Sequence, residues 1–102
     1  MPEMKDLRLE HFTPCLKDTF RLDAGDAGSL EMRLTEAVEL PSAKRTQEGE
    51  RRGFTITFRG PKQVRLGQGI YPLEHPDVGR QEIFLVPVAE DADGRYYEAV
   101  FT

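Results

Sequence analysis

Apolar and polar residues alternate along much of the chain after residue 18, and this period of two predicts β-strands. The longest alternation has apolar side chains at Leu30, Met32, Leu34, Val38 and Leu40. Glu36 is the polar residue that falls at an inward position of this run. The pattern therefore predicts a half-buried strand with one carboxylate on its apolar side.

Three further stretches have strand patterns. Residues 54–59 alternate Phe, Ile and Phe with two threonines and an arginine, which predicts a second half-buried strand. Residues 82–89 are apolar at both parities, so we expect a central strand covered on both sides, with Pro87 at a bulge or at the strand end. Residues 96–101 form the last predicted strand.

Glycines, aspartates and prolines separate these strands. Residues 23–28 contain two glycines and predict a hairpin between a first strand at Phe20-Arg21-Leu22 and the strand that begins at Leu30. Residues 91–94, Asp-Ala-Asp-Gly, predict a second hairpin, so the last two strands should pair antiparallel. Residues 66–73 predict a short strand that begins near two glycines and ends at His75-Pro76. Pro61 ends the preceding strand.

The first residues of the chain have a different pattern. Leu7, Leu9 and Phe12 precede Pro14, which predicts one or two helical turns that pack Phe12 and Leu16 against the sheet. Six strands with one apolar face each must close on themselves or pack face to face. We therefore predict a mainly all-β fold of about six antiparallel strands, as a small barrel or a two-sheet sandwich with a short N-terminal helical turn.

Composition narrows the class of protein. The 102 residues fit a single small β domain over residues 1–102. Fourteen Lys and Arg against 18 Asp and Glu give a net charge of −4, which argues against a nucleic-acid partner. No apolar run is long enough to cross a bilayer and no signal core is present, which predicts a cytoplasmic protein without membrane attachment. The single cysteine, Cys15, excludes an intramolecular disulfide.

Metal and nucleophile patterns are sparse. His11 and Cys15 are four residues apart, but Pro14 lies between them and His75 is distant in sequence. Cys15 is therefore expected to be a small buried hydrophobe rather than a zinc ligand. A pairing of Cys15 with His11 or His75 as nucleophile and base stays open on the sequence alone, and no nucleophile-elbow motif is present.

Two loops resemble fragments of ligand-binding motifs without completing them. The acidic residues before Gly94 resemble a calcium loop, but its first and twelfth positions would be Ala89 and Val100, which supply no carboxylate. Residues 67–69, Gly-Gln-Gly, precede Ile-Tyr-Pro, which does not begin a phosphate-binding helix. We expect no metal, no cofactor and no enzymatic activity.

Glu36 has two interpretations. At its inward position it forms a buried polar site inside the barrel, or a bulge turns it toward water. The second interpretation is the more ordinary one, because an unpaired buried carboxylate is costly.

Surface candidates favour an interaction role. Exposed aromatic and basic residues are candidates for an interaction surface: Tyr71, Phe84, Tyr96, and, in a polar loop between Pro41 and Gly53, Lys44, Arg45, Arg51 and Arg52. We therefore expect a non-enzymatic structural or protein-interaction domain, whose partner is another protein or a second copy. The alternative is a small-ligand-binding β-barrel with Glu36 or a buried tyrosine as its polar contact, although a six-stranded barrel is filled by its own side chains.

Several sequence phrases together resemble one family. They are Phe-x-Pro at 12–14, Thr-Phe-Arg-Leu at 19–22, Phe-Thr-Ile-Thr-Phe-Arg-Gly-Pro at 54–61, Gln-Gly-Ile-Tyr-Pro-Leu at 68–73, Phe-Leu-Val-Pro-Val at 84–88 and Tyr-Glu-Ala-Val-Phe at 97–101. Over nearly its whole length the chain resembles the bacterial family called domain of unknown function 6916. The resemblance implies a small domain of unassigned activity, loosely associated with phage-tail-like or collar-type proteins. It also leads us to expect a glycine where this chain has Lys17.

Overall fold

The computed structural model describes residues 8–39 and 53–101. Within them lie one short α-helix and six β-strands: α1 (Leu9–Phe12), β1 (Thr19–Asp23), β2 (Ser29–Glu39), β3 (Phe54–Gly60), β4 (Gly69–His75), β5 (Gly79–Asp91) and β6 (Gly94–Phe101). The strands form a closed antiparallel barrel in the order β1-β2-β3-β6-β5-β4. This confirms the mainly all-β prediction and selects the barrel over the sandwich.

The barrel closes where β4 meets β1. Arg21 pairs with Glu74 and Leu22 pairs with Leu73 across this seam. β5 is long enough to serve two neighbours, since its first half pairs with β4 and its second half pairs with β6. The two predicted hairpins, β1–β2 and β5–β6, are both present and antiparallel.

Large apolar side chains fill the barrel. The largest fully buried ones are Tyr97, Phe12, Phe20, Phe54, Phe58, Leu22, Met32, Leu34, Ile56, Leu73 and Ile83. Phe20 packs edge-on against Phe58, and Phe12 of α1 lies 5.9 Å from the ring of Phe54 at the other end. Each such side chain stabilises the fold by about 1.5–3 kcal/mol relative to an exposed position. The short helix therefore acts as a plug at one end of the barrel.

A bulge in β2 places Glu36 outside the barrel. The pairing of β2 with β3 shifts between Leu34 and Glu36, after which Glu36 lies opposite Thr57 and Ala37 takes the inward position opposite Ile56. Glu36 is exposed, so the buried polar site is wrong and the bulge interpretation is correct. The same shift turns Val38 outward, where it is 50% exposed instead of buried as the alternation predicted.

β5 has one buried face only. Ile83 and Leu85 are buried, whereas Phe84 and Val88 are about half exposed. The prediction of a strand covered on both sides is therefore wrong, because the outside of this barrel carries no second layer over β5 among the described residues. Pro87 does lie at a register shift, as predicted.

The segment after α1 departs from the predicted helix. Thr13–Cys15 form a 3₁₀ turn with Pro14 in its first positions, so Cys15 is buried in place of Leu16, which is 37% exposed. Lys17 then adopts a left-handed conformation with φ of 74°. Its N–H donates to the Leu34 carbonyl at 2.7 Å, and the Leu34 N–H donates to the Asp18 carbonyl at 3.0 Å. The turn for which a glycine was expected is thus formed with a lysine.

Some predictions fall on residues whose structure is not described. These include Leu7, Leu40 and the polar loop with Lys44, Arg45, Arg51 and Arg52. Among the described residues, no helix has the length and apolar character needed to span a bilayer.

Candidate functional site

A thiol, an imidazole and a carboxylate meet where the 3₁₀ turn packs against the end of β4. Cys15 Sγ lies 3.8 Å from His75 Nδ1, and His75 Nε2 lies 2.9 Å from Asp18 Oδ2. Cys15 and His75 are buried and Asp18 is exposed. The sequence left the pairing of Cys15 with a histidine open, and the structure selects His75. His11 instead accepts a hydrogen bond from the Arg8 N–H through its Nδ1.

Hydrogen bonding assigns the proton positions of His75. Its Nδ1 accepts the backbone N–H of Asp77 at 3.0 Å, so the ring proton lies on Nε2 and is donated to Asp18. The thiol of Cys15 donates to the His11 carbonyl at 3.6 Å, since the lone pair of His75 Nδ1 is already taken by the Asp77 N–H. Burial, together with the charges of Asp18 and Asp77, raises the pKa of the Cys15 thiol.

The order thiol, imidazole, carboxylate is that of a nucleophile, a base and an orienting acid. Three properties oppose nucleophilic attack by Cys15: its side chain is 1% exposed, its pKa is raised rather than lowered, and Nδ1 of His75 already accepts a backbone N–H. The network is better suited to holding the N-terminal segment against the β4–β5 turn. Cys15 packs as the small buried hydrophobe that the sequence predicted.

The same residues form a poor metal site. One ligand atom from each of Cys15, Asp18 and His75 lies within 4.8 Å of the others. However, the thiol approaches Nδ1 of the imidazole whereas the carboxylate approaches Nε2. The lone pairs of the two ring nitrogens point in different directions. A metal ion bound to Nδ1 would therefore lie away from the Asp18 carboxylate, and an ion bound to Nε2 would lie away from the Cys15 thiol.

An open groove of about 490 Å³ lies beside this network on the outside of β1, β4 and β5. Both of its arginines pair with carboxylates: Glu74 accepts from Arg21 and from Arg80, and Arg80 also lies 3.5 Å from Asp23. Hydrogen bonds from the two arginines lower the pKa of Glu74. The cations of the groove therefore already have carboxylate partners.

Three large apolar side chains lie together on the outside of β4, β5 and β6. Ile70 is 66% exposed, Phe84 48% and Val100 57%. Ile70 and Phe84 are direct cross-strand partners. Phe84 and Val100 each lie two residues beyond the last β5–β6 pair, on its outward side. We call Ile70, Phe84 and Val100 the outer apolar face.

The outer apolar face continues toward β2. Val100 pairs with Thr55, and Thr55 pairs with Val38, which is also half exposed. Val88, a further exposed valine, lies at the β5 bulge near the Asp91 turn and outside this row.

Only one aromatic residue of the predicted interaction surface belongs to the outer apolar face. Phe84 lies at its centre, whereas Tyr71 and Tyr96 are half-buried. The hydroxyl of Tyr71 donates to the Gly67 carbonyl at 2.7 Å, and that of Tyr96 donates to Asp91 at 3.0 Å.

Sequence reasoning missed Ile70 and Val100 as surface residues. A signal was present, since Val100 has the opposite parity to Tyr97 and Ala99 within a predicted strand, and both of those residues are buried. Ile70 likewise has the opposite parity to Leu73, which is buried.

Comparison with known proteins supplies a family and no activity. The family described as Domain of unknown function (DUF6916) matches residues 7–101. No curated protein and no solved structure gave a significant match.

Proposed function

The chain belongs to the DUF6916 family, and from the geometry of its barrel we propose that it is a protein-interaction domain without catalytic activity. A protein partner docks on the outer apolar face. The DUF6916 description names no reaction and no ligand, so the proposal rests on the chain's own surface. The phage-tail-like setting is part of the proposal only through the family resemblance.

The exposure of Ile70, Phe84 and Val100 is the observation that carries the proposal. Together these residues leave on the order of 300 Å² of surface in water, which is the size of the largest apolar patch on a typical monomer, and such patches are often functional. A stable interface buries about 800 Å² per partner, so the outer apolar face would be its centre and the polar positions around it the rim. Phe84 is the natural anchor, because aromatic residues dominate interface energies.

The alternative of a ligand held inside the barrel has less support. Most inward positions of the strands carry side chains that are nearly or completely buried, and Glu36, the proposed polar contact, lies outside. The other proposed contact, a buried tyrosine, is Tyr97, whose hydroxyl accepts the Leu66 N–H at 3.1 Å. Among the described residues, the interior is packed with these side chains and no buried side-chain nitrogen or oxygen lacks a hydrogen-bond partner.

Differential capture tests the proposal. The full chain and two variants, Phe84→Ser and Val88→Ser, are used as baits in extracts of the native source, and captured proteins are quantified by mass spectrometry. Val88 is the matched control because it is exposed to the same degree on the same strand but lies outside the outer apolar face. We expect at least one protein that Val88→Ser retains and Phe84→Ser loses by ten-fold or more.

Identical capture by all three baits would contradict the proposal, provided that circular dichroism shows the variants to be folded. Because both substitutions replace half-exposed residues, we expect their melting temperatures to stay close to that of the wild type.

A further inference from the structure

We infer that the partner segment is basic as well as apolar: an amphipathic stretch in which Lys or Arg side chains flank the apolar ones. This inference rests on the proposed function, since it names the chemistry of what docks on the outer apolar face.

Carboxylates flank the outer apolar face on its own strands. Glu82 lies two residues before Phe84 on β5, and Glu98 lies two residues before Val100 on β6. Residues two apart on a strand point to the same side, so each carboxylate stands beside an exposed apolar residue. Glu36 stands in the same relation to Val38 on β2, where the row continues.

In the part of the chain that the structure describes, no cation lies within ion-pair distance of these three carboxylates. Among the described residues, no ion pair involves Glu36, Glu82 or Glu98. The arginines that do form ion pairs lie elsewhere: Arg21 and Arg80 at the closing seam with Glu74, and Arg95 with Glu90 near the β5–β6 turn. The rim of the outer apolar face is therefore negatively charged.

A basic amphipathic segment satisfies both features of this surface. Its apolar side chains cover Ile70, Phe84 and Val100, while the long stems of lysine or arginine extend over the apolar rim and bring their charges to the glutamates. A second copy would bring its own glutamates against these, and the net charge of −4 adds to that repulsion. An anionic lipid surface or a nucleic acid would be repelled for the same reason.

Two synthetic peptides probe the inference. Both are about 14 residues long with the same leucine pattern of an amphipathic helix, and their polar positions carry lysine in one and glutamate in the other. Binding of the labelled peptides to the full chain is measured by fluorescence anisotropy. We expect the lysine peptide to bind at least ten-fold more tightly than the glutamate peptide, with affinity that falls as salt is raised.

Charge-neutral variants separate this surface from general attraction to an acidic protein. The variant with Glu36→Gln, Glu82→Gln and Glu98→Gln should bind the lysine peptide about ten-fold more weakly. The control variant with Asp26→Asn, Glu31→Gln and Asp93→Asn removes the same number of charges from exposed positions away from the outer apolar face, and it should change the affinity less than two-fold. Equal effects of the triple variant and this control variant would overturn the inference.

The outcomes distinguish the inference from the proposed function. If Phe84→Ser loses a captured partner and weakens peptide binding while the triple variant binds normally, the outer apolar face stands and the basic partner is wrong. If light scattering shows a dimer that the triple variant strengthens, the occupant is a second copy and the inference is again overturned. If Phe84→Ser changes neither capture nor peptide binding, the proposed function itself fails.

Discussion

Individual residues in this barrel carry conformations that their neighbours impose. Lys17 lies in the left-handed region, which costs a residue with a Cβ about 1 kcal/mol relative to glycine. The backbone of Lys17 is held in this conformation because the Lys17 N–H donates to the Leu34 carbonyl and the Leu34 N–H donates to the Asp18 carbonyl. These two hydrogen bonds maintain the strain. The position reads as a glycine site that this chain fills with a lysine.

Replacing Lys17 with glycine should therefore stabilise the protein. We expect Lys17→Gly to raise the free energy of unfolding by about 0.5–1 kcal/mol, because relief of strain exceeds the added entropy of the unfolded chain. Lys62→Gly is the control, since Lys62 is an exposed turn residue without a positive φ and should show no gain. Urea unfolding of both variants measures the difference, and equal effects would contradict the strain argument.

Cys15 illustrates how burial decides the chemistry of a residue. Because its pKa is raised and its side chain is 1% exposed, we expect the native thiol to react with a disulfide reagent at pH 8 at least ~100-fold more slowly than in urea. The native rate should follow unfolding as denaturant is added. A native thiol that reacts as fast as the unfolded one would remove the argument against a nucleophilic role for Cys15.

At the scale of strands, close approach and bulges determine what each element presents. Gly94 begins β6, one residue before Arg95, which pairs with Gly60 at the end of β3. A Cβ at Gly94 would lie 2.3 Å from the Gly60 carbonyl oxygen. Its φ of 158° is also outside the range that other residues favour. The Asp91–Gly94 turn is therefore glycine-dependent for a tertiary reason as well as a local one.

Gly94→Ala should destabilise the protein strongly. We expect a loss of about 3 kcal/mol or more in the free energy of unfolding, because backbone atoms of β3 must move to make room. Gly67→Ala is the matched control, since a Cβ at Gly67 meets nothing within 4 Å and its φ is not positive. Thermal melts of the two variants measure the difference in stability. A Gly94→Ala protein that is as stable as Gly67→Ala would contradict the steric contact between position 94 and the Gly60 carbonyl.

The sequence predicted which segments form strands, but it did not predict which side chains point outward at the ends of β2 and β5. Alternation predicted β2 correctly as far as Leu34, where the bulge moved Glu36 and Val38 outward. A bulge depends on the pairing with β3, which local alternation does not report. In β5 the apolar residues of both parities predicted two covered faces, yet the barrel buries only the inner one and leaves Phe84 outside.

The whole molecule is closed by a short seam between β1 and β4, and charged side chains reinforce it. Glu74 of β4 bonds to Arg21 of β1 and to Arg80 of β5. These bonds hold the pKa of Glu74 below its usual value. A depressed carboxyl pKa stabilises the fold above the unfolded-state pKa, and that stabilisation is lost as the pH falls through the folded-state value.

The barrel should therefore lose stability in acid through this seam. At low ionic strength we expect the melting temperature of the wild type to fall as the pH drops below 4.5, the reference value for Glu74. Glu74→Gln should start less stable and change less over the same interval. Glu82→Gln is the comparison, since Glu82 is exposed and forms no ion pair with the described residues, and it should track the wild type. Parallel pH profiles for Glu74→Gln and the wild type would exclude a contribution from the seam.

At the same scale, we propose that the protein functions through the outside of its barrel. The inside is filled by aromatic and aliphatic side chains. Cys15 and His75 of the thiol–imidazole–carboxylate network are buried, and His75 Nδ1 already accepts a backbone N–H. The outer apolar face is exposed and is flanked by Glu82 and Glu98, which form no ion pair with the described residues. Binding of another protein thus follows from the outer surface more readily than catalysis follows from the interior.

The sequence by itself determined the strands, the two hairpins, the helical turn and most of the buried residues, because alternation and turn chemistry are local properties. Tertiary structure decided the rest. The bulges set which ends of β2 and β5 face water, and closure brought Cys15 and Asp18 to His75 across 60 and 57 positions. The outer apolar face also arose only when β4, β5 and β6 became neighbours, since strand pairing, and not sequence order, sets which outward side chains meet.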